Sequence, residues 1–161
     1  MEIAKLFDSP TFLDNRGSFT PMSLSIFDKE WIQSNVSFNE KKYTFRGLHY
    51  QQGEYAQAKL VKVIHGQILD YIVDLRPESP DYMKLQEFKL TRNNALLVPR
   101  GYAHGFITTE KNTVVQYLVD NVYDKESERT LFWNTVPELE KKLMGIDLII
   151  SEKDAPKKII Y

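Results

Sequence analysis

Three histidines are the side chains best suited to move protons near neutral pH, because the chain contains no cysteine. His49 lies among aromatic residues and close to Arg46, and His104 follows a predicted tight loop at Pro99–Tyr102. His65 lies at the tip of a predicted hairpin, where a solvated turn residue is expected. From the residues alone, His49 and His104 fit either proton transfer or a hydrogen-bonded position in the core.

The spacing of these histidines argues against a metal centre. Imidazole is the commonest ligand for iron, zinc or copper, yet the sequence has no His-x-His or His-x-x-x-His pair. No two histidines can therefore converge from one strand or one helical turn. We expect no metal ligand among them, and the missing cysteines also remove disulfides and thiolate chemistry.

The elements that must position these residues are predicted to be strands. Short β-branched segments separated by turn residues recur along the chain, which is typical of an all-β sandwich or barrel. Leu60–Ile64 and Ile68–Asp74 flank the dipeptide His65-Gly66 and predict an antiparallel hairpin. The other predicted strands are Leu85–Thr91, Ala95–Val98, His104–Thr108 and Thr113–Val119.

Helical signals are few. Pro137–Met144 predicts a short helix near the C-terminal end, with Leu139 and Leu143 on one face and Gly145 at its stop. A weaker helical turn is predicted over Ile26–Ile32. Helices that would join parallel strands are missing, which again favours an all-β fold.

Length and composition exclude several classes of function. The chain has 161 residues, 42% of them hydrophobic, which fits one packed domain over residues 1–161. Its 21 Lys+Arg nearly balance 22 Asp+Glu, so neither a nucleic acid nor a membrane is an expected partner. The start of the chain lacks the pattern of a signal peptide, and no apolar run is long enough to cross a membrane. We therefore expect a cytoplasmic protein.

Six motifs occur in order along nearly the whole chain. They are Asp14-Asn15-Arg16-Gly17-Ser18-Phe19, Phe45-Arg46-Gly47-Leu48-His49-Tyr50-Gln51, Ala58-Lys59-Leu60-Val61, Val73-Asp74-Leu75-Arg76-Pro77-Glu78-Ser79-Pro80, Val98-Pro99-Arg100-Gly101-Tyr102-Ala103-His104-Gly105-Phe106 and Glu152-Lys153-Asp154-Ala155. Together they resemble the dTDP-4-dehydrorhamnose 3,5-epimerase family of cupin-fold sugar-nucleotide enzymes. The resemblance implies a cupin (jelly-roll) barrel with a short C-terminal helix. Metal-binding cupins carry His-x-His where this chain has His49-Tyr50-Gln51, which favours a barrel without its metal.

The resemblance implies a cofactor-independent epimerase. A C4 ketone acidifies the hydrogens at C3 and C5 of a nucleoside-diphosphate 4-keto-6-deoxy sugar, so one or both centres can be inverted through an enolate. By resemblance, His49 is the general base, Asp154 orients its imidazole, and Tyr117 is the acid on the opposite face. Lys59 is expected beside the oxygen at C4, where a fixed cation stabilises the enolate more than the ketone.

The resemblance also implies substrate-binding residues and a partner. Arg16 and Arg46 are expected to bind the diphosphate through paired guanidinium donors. The other expected contacts are Phe12, Gln33, Asn35, His104 and Tyr123, with Tyr123 stacking on the base and Asp70 a possible partner of His104. Family members exchange N-terminal strands, so a homodimer is expected. After Arg16-Gly17 the family usually reaches an acidic residue, which is missing from Ser18-Phe19-Thr20-Pro21.

Two other functions stay open on the sequence. One is a 3,4-ketoisomerase of the same barrel, which moves the ketone by similar proton transfers. The other is a sugar-nucleotide binding protein without catalysis. The sequence does not distinguish dTDP, GDP or CDP as the nucleotide, nor single from double epimerisation.

Overall fold

Strands dominate the structure, a computed structural model that describes residues 1–156. The last five residues of the expected 1–161 domain lie outside the described residues. The strands in the described part are β1 (Lys5–Asp8), β2 (Phe12–Asp14), β3 (Gly17–Phe19), β4 (Gln33–Asn39), β5 (Phe45–Gln51), β6 (Lys59–His65), β7 (Ile68–Asp74), β8 (Leu85–Leu90), β9 (Asn94–Val98), β10 (Tyr102–Thr108), β11 (Thr113–Val119) and β12 (Glu128–Thr130). The α-helix found there, α1, covers Pro137–Leu143.

Two five-stranded antiparallel sheets form the body of the molecule. The first sheet has the order β1-β9-β6-β11-β4, and the second has the order β12-β5-β10-β7-β8. β2 and β3 form a separate hairpin. Within residues 1–156 no ladder of hydrogen bonds joins the two sheets into a closed barrel. The architecture is a jelly roll with open sheet edges, as expected for the cupin class.

The main core lies between the two sheets. Alternate side chains of β6, including Val61 and Val63, point inward and meet Ile68 and Ile72 of β7 and Phe106 of β10. All five are buried. Because side chains alternate between the two faces of a strand, every second residue on these strands points into the interior. This holds for polar residues as well as for apolar ones.

A second apolar cluster covers the outer face of the second sheet. Leu139 and Leu143 of α1 are buried and pack in the same cluster as Tyr71 and Val73 of β7. β7 is therefore buried on both faces, which explains its nearly continuous apolar sequence. Pro137 begins α1, where its missing N–H costs no helical hydrogen bond.

Two local predictions are wrong. β6 and β7 do not form a hairpin, since β6 pairs with β9 and β11 whereas β7 pairs with β8 and β10. The chain turns at Gly66 with φ +82°, but it passes there from one sheet to the other. The helical turn predicted over Ile26–Ile32 is a single 3-10 turn at Leu24–Ile26.

No helix among residues 1–156 has the length and apolar character needed to span a membrane.

Candidate active site

A cavity of about 520 Å³ opens between the sheets and receives side chains from both. The four residues expected to be catalytic, His49, Lys59, Tyr117 and Asp154, all line it. The other charged or titratable lining residues are Arg46, His104, Glu128 and Lys153. Residues far apart in sequence thus meet in one pocket that mixes apolar walls with ionisable groups, which is typical of an active site.

Two glycines bring β5 and β10 close together at the cavity. A Cβ on Gly47, whose φ is +130°, would lie 2.5 Å from the Cα of Gly105. A Cβ on Gly105 would lie 2.5 Å from the carbonyl oxygen of Arg46. Any larger residue would therefore push the strands apart. Beside this crossing, His49 and His104 are direct cross-strand partners, so both side chains lie on the cavity face.

His49 forms a dyad with Asp154. Its Nε2 lies 2.5 Å from Oδ1 of Asp154, which is carried by a 3-10 turn at Glu152–Asp154. The other carboxylate oxygen accepts the N–H of Gly47 at 3.1 Å. Burial acts to raise the pKa of Asp154, but the hydrogen bonds from His49 and Gly47 outweigh it, and the pKa lies below its usual value. An ionised carboxylate can only accept, so neutral His49 carries its proton on Nε2 and keeps Nδ1 as the basic nitrogen.

Lys59 begins β6 and is paired in register with Val98 and Val119. Its ammonium forms no hydrogen bond or ion pair with any described residue. Burial lowers the pKa of Lys59 to about 8, against the opposing charges of Asp70 and Glu128. The group is still mainly cationic at pH 7, and it acts in an interior where water screens charge weakly.

Tyr117 lies on β11, opposite Val61 of β6 and Asn35 of β4. Burial raises the pKa of Tyr117, while the Arg46 charge works in the other direction. The side chain is therefore a neutral phenol near neutral pH and has a proton to donate.

His104 and Asp70 form a second, more deeply buried pair, as the sequence analysis anticipated. His104 Nε2 lies 2.8 Å from Oδ2 of Asp70. Burial raises the pKa of Asp70, and His104 and Lys59 counteract that rise. Asp70 lies on β7 with the core residues Ile68 and Ile72 on the same inward face.

A smaller cavity of about 250 Å³ adjoins the first and shares His49, Lys59, Tyr117 and Glu128 with it. Three of the residues expected to contact substrate line this smaller space: Gln33, Asn35 and Tyr123. Gln33 Nε2 donates to Oδ1 of Asn35 at 2.7 Å. The shared residues make the two cavities neighbouring parts of one site.

Sequence reasoning missed Glu128 and Lys153. Lys153 Nζ lies 2.6 Å from Oε1 of Glu128, and the hydroxyl of Tyr123 donates to Oε2 at 3.2 Å. This ion pair joins β12 to the turn that carries Asp154. The sequence does carry a signal for Lys153, which directly precedes Asp154 in Glu152-Lys153-Asp154-Ala155. Glu128 lies on a three-residue strand that has no recognisable pattern.

The structure separates the two predicted arginines. Arg46 lines the main cavity, and its Nε donates to Oδ1 of Asn39 at 2.8 Å. Arg16 instead lies on the β2–β3 hairpin, where its highly exposed side chain pairs with Asp14 at 2.5 Å. Phe12 lies on the same hairpin and is 59% exposed. Neither Arg16 nor Phe12 lines the cavity of its own chain.

Among residues 1–156, no group of three histidine or carboxylate side chains is arranged to hold a metal ion.

The jelly-roll fold and its ionisable cavity place the protein in the cupin class. Comparison with known proteins gives the particular family. The sequence profile of the dTDP-4-dehydrorhamnose 3,5-epimerase family matches residues 2–160. The chain belongs to this family and is an isomerase of the epimerase type.

Individual relatives agree with this assignment. The dTDP-4-dehydrorhamnose 3,5-epimerase of Escherichia coli is 36% identical over 143 residues, which cover 83% of this chain and 77% of the relative. The enzyme of the same name from Sinorhizobium fredii is 34% identical over 169 residues, covering 94% and 82%.

Solved structures give the same result. The Bacillus anthracis epimerase with TDP and PPi bound has a TM-score of 0.81 at 36% identity, covering 94% of this chain and 90% of that one. The Legionella pneumophila epimerase in complex with dTDP-4-keto-L-rhamnose has a TM-score of 0.84 at 28% identity, covering 94% and 84%.

Proposed function

We propose that the protein epimerises a nucleoside-diphosphate 4-keto-6-deoxy sugar by proton transfer through an enolate. The observation that carries this proposal is the 2.5 Å contact between His49 and Asp154 inside a cavity also lined by Lys59 and Tyr117. His49 Nδ1 takes the proton from the carbon next to the ketone, and the electron pair of the C–H bond passes to the C4 oxygen. Asp154 stabilises the imidazolium that forms.

Lys59 and Tyr117 complete the cycle. The ammonium of Lys59 stabilises the negative oxygen at C4, an interaction stronger in the enolate than in the ketone. Tyr117 then delivers a proton to the opposite face of the same carbon. The positions of the two residues support opposite-face proton transfer, since His49 belongs to the second sheet and Tyr117 to the first. The enolate collapses to the ketone with inverted configuration, and solvent restores both protonation states.

The nucleotide proposed for the substrate is dTDP. The Bacillus anthracis relative is described with TDP and PPi bound, and the Legionella pneumophila relative with dTDP-4-keto-L-rhamnose. Arg46 fits the diphosphate, whereas Gln33, Asn35 and Tyr123 in the smaller cavity fit the nucleoside end. His104 lies at the sugar end beside His49.

The proposed assembly is a homodimer in which the β2–β3 hairpin reaches the partner. This hairpin exposes Phe12, Leu13 and Phe19 at 59%, 75% and 68%, and neighbouring exposed apolar side chains of this kind mark an interaction surface. Exchange of the hairpin would bury these side chains and bring Arg16 to the partner's diphosphate site. A cytoplasmic location stays a prediction.

Proton NMR in D2O tests the reaction. With dTDP-4-keto-6-deoxyglucose, the wild-type protein is expected to exchange the hydrogens at C3, C5 or both and to form a new epimer. His49→Ala is expected to abolish the exchange, while Tyr82→Phe, at an exposed tyrosine outside both cavities, should keep it. Full exchange in His49→Ala contradicts the assignment of the base.

The same spectra distinguish the alternative functions. A ketone signal that moves from C4 to C3 would identify a 3,4-ketoisomerase. Tight binding of the sugar nucleotide without any exchange would identify a binding protein. Both outcomes would overturn the proposed epimerase chemistry.

A further inference from the structure

One buried carboxyl group lies close to the active-site residues but outside the walls of both cavities. Asp70 is fully buried on β7, and it lines neither of the two cavities. Its Oδ2 is bound to His104, yet its Oδ1 has no hydrogen-bond partner among residues 1–156. An unpaired buried carboxylate oxygen is costly, so its position calls for a compensating charge nearby.

Lys59 is the complementary group. It lies on the inward face of β6 with Val61 and Val63, whereas Asp70 lies on the inward face of β7 with Ile68 and Ile72. The two charges therefore point from opposite sheets into the same interior. No ion pair within 4.0 Å joins them. Asp70 is fully buried, so water screens its charge weakly, and its attraction raises the pKa of Lys59 against the effect of burial.

We propose that Asp70 is a positioning residue that keeps the Lys59 ammonium charged inside the cavity and fixes the tautomer of His104. The proposal rests on the proposed role of Lys59 as the cation beside the enolate oxygen. Without a nearby anion, a smaller fraction of a lysine held in this interior would be protonated at neutral pH, so fewer molecules would carry the cation that stabilises that oxygen. Asp70 supplies this anion from a position that lines neither cavity, so it does not occupy space that substrate needs.

The other ionisable groups around Lys59 do not replace Asp70. They are His49, Arg46, His104, Tyr117, Glu128, Lys153 and Asp154. Glu128 is paired with Lys153 at 2.6 Å, so the two charges largely cancel at Lys59. Arg46 is a cation, and Tyr117 is neutral. Asp154 is committed to His49 and Gly47. In the described part of the chain, Asp70 is the buried carboxyl group that has an oxygen still unpaired. Burial raises the pKa of Asp70 and the charges of His104 and Lys59 oppose that rise, so the attraction between Asp70 and Lys59 favours the ionised form of both groups.

Asp70→Asn tests the proposal, because it keeps the shape and an oxygen for His104 but removes the charge. With lysine labelled at Cε, the carbon shift of Lys59 is followed against pH in the substrate-free protein, and the signal is assigned by its loss in Lys59→Arg. The midpoint is expected to fall by about one pH unit in Asp70→Asn. Asp81→Asn removes a surface carboxylate, paired with Lys84, and should leave the midpoint unchanged.

The activity profile gives the second readout. The alkaline limb of kcat/KM is expected to move down with the Lys59 midpoint, a loss of about fivefold at pH 8 for a one-unit shift. A purely structural role for Asp70 would lower activity equally at every pH. An unmoved midpoint and limb in folded Asp70→Asn would overturn the proposal.

A reciprocal measurement covers the case in which Asp70→Asn does not fold. Coupling between two sites is mutual, so Lys59→Met must raise the midpoint of Asp70, followed by NMR of its labelled carboxyl carbon. An unchanged Asp70 midpoint also overturns the proposal. Both titrations are made without substrate, so their results do not depend on whether the proposed reaction is correct. Absence of exchange in the wild type would refute the reaction, whereas unchanged titration in an active enzyme would refute the role of Asp70.

Discussion

His49 and His104 are cross-strand partners on β5 and β10, yet each is bound to a different carboxylate. Asp154 reaches His49 from a turn near the C-terminal end, and Asp70 reaches His104 from the neighbouring strand β7. The His49 pair borders the cavity, while the His104 pair is almost completely buried. The two neighbouring imidazoles thus have different surroundings, which fits the proposal that His49 exchanges protons with substrate while His104 keeps one protonation state.

Asp154→Asn is expected to lower kcat by about 10²–10⁴-fold, the usual contribution of general base catalysis. The amide can still accept the N–H of Gly47, but it carries no negative charge to stabilise the imidazolium of His49. Substrate binding should change little, because Asp154 acts through His49. Initial rates over a range of substrate concentrations separate the two effects. A variant with wild-type kcat would show that His49 does not need its carboxylate.

Tyr117→Phe is expected to separate the two proton transfers. Removal of the hydroxyl leaves His49 able to abstract the proton, but no phenol remains to deliver one to the other face. Solvent deuterium should still enter the substrate, while formation of the epimer falls by about 100-fold or more. Exchange and epimer formation can be followed in one NMR time course. If both rates fall in parallel, Tyr117 serves binding or abstraction instead.

Asp74→Asn is expected to change the acid stability of the fold. Asp74 is buried, and its two oxygens accept from Nε and Nη2 of Arg76 at 2.8 and 2.6 Å. Burial acts to raise the pKa of Asp74, but its hydrogen bonds from Arg76 and Ser79 are stronger and lower it from 3.8 to about 2. Because the folded pKa is depressed, the ionised group stabilises the fold above about pH 4, and this contribution disappears as the pH falls towards 2.

The shift corresponds to about 2 kcal/mol of unfolding free energy. Urea denaturation at several values between pH 5 and pH 2 should show the wild type losing about that much more stability than Asp74→Asn. At pH 7 the variant should be less stable by about 3–5 kcal/mol, because Arg76 is left without its buried partner. Asp81→Asn, which removes an exposed carboxylate, is the control and should follow the wild type. Parallel curves for wild type and Asp74→Asn would contradict the expected linkage.

Regular patterns made much of the fold predictable. β11 has the predicted bounds Thr113–Val119, and α1 ends one residue before the predicted last residue Met144, since each follows the period of its element. β5 was not predicted, although it carries His49, because glycine and charged residues interrupt its alternation. The pairing of β6 with β9 and β11 could not be predicted from the sequence for another reason. Turn chemistry at Gly66 fixes a reversal of the chain, whereas tertiary packing decides which strands pair.

The candidate site was predictable through resemblance more than through pattern. His49, Lys59, Tyr117 and Asp154 come from separate parts of the sequence, and no local period connects them. Spacing alone gave neither the dyad nor the ion pair between Glu128 and Lys153, because such contacts arise only when distant strands and turns meet. The same limit applies to Arg16, whose expected role depends on a second chain.

A mixture of two variants, each expected to be inactive alone, tests whether Arg16 acts across a dimer. Arg16→Ala removes the diphosphate contact proposed for the partner's cavity, and His49→Ala removes the base of its own cavity. In a mixed dimer, the cavity of the Arg16→Ala chain has an intact His49 and receives an intact Arg16 from the other chain. If the hairpin exchanges, mixing the two proteins after mild unfolding and refolding should restore about a quarter of the wild-type activity, since about half of the dimers are mixed and each has one complete site.

The control is a mixture of His49→Ala with Asp154→Ala. Each of these substitutions affects the cavity of the chain that carries it. There the mixed dimer can form one cavity without the base and one without its carboxylate, so no complete site results and no activity should return. Light scattering of each variant gives the oligomeric state independently. A monomer by light scattering, or equal recovery in both mixtures, would show that Arg16 does not serve a partner. Recovery in the first mixture alone would place one essential cation of each site on the other chain, as the exposed position of Arg16 predicts.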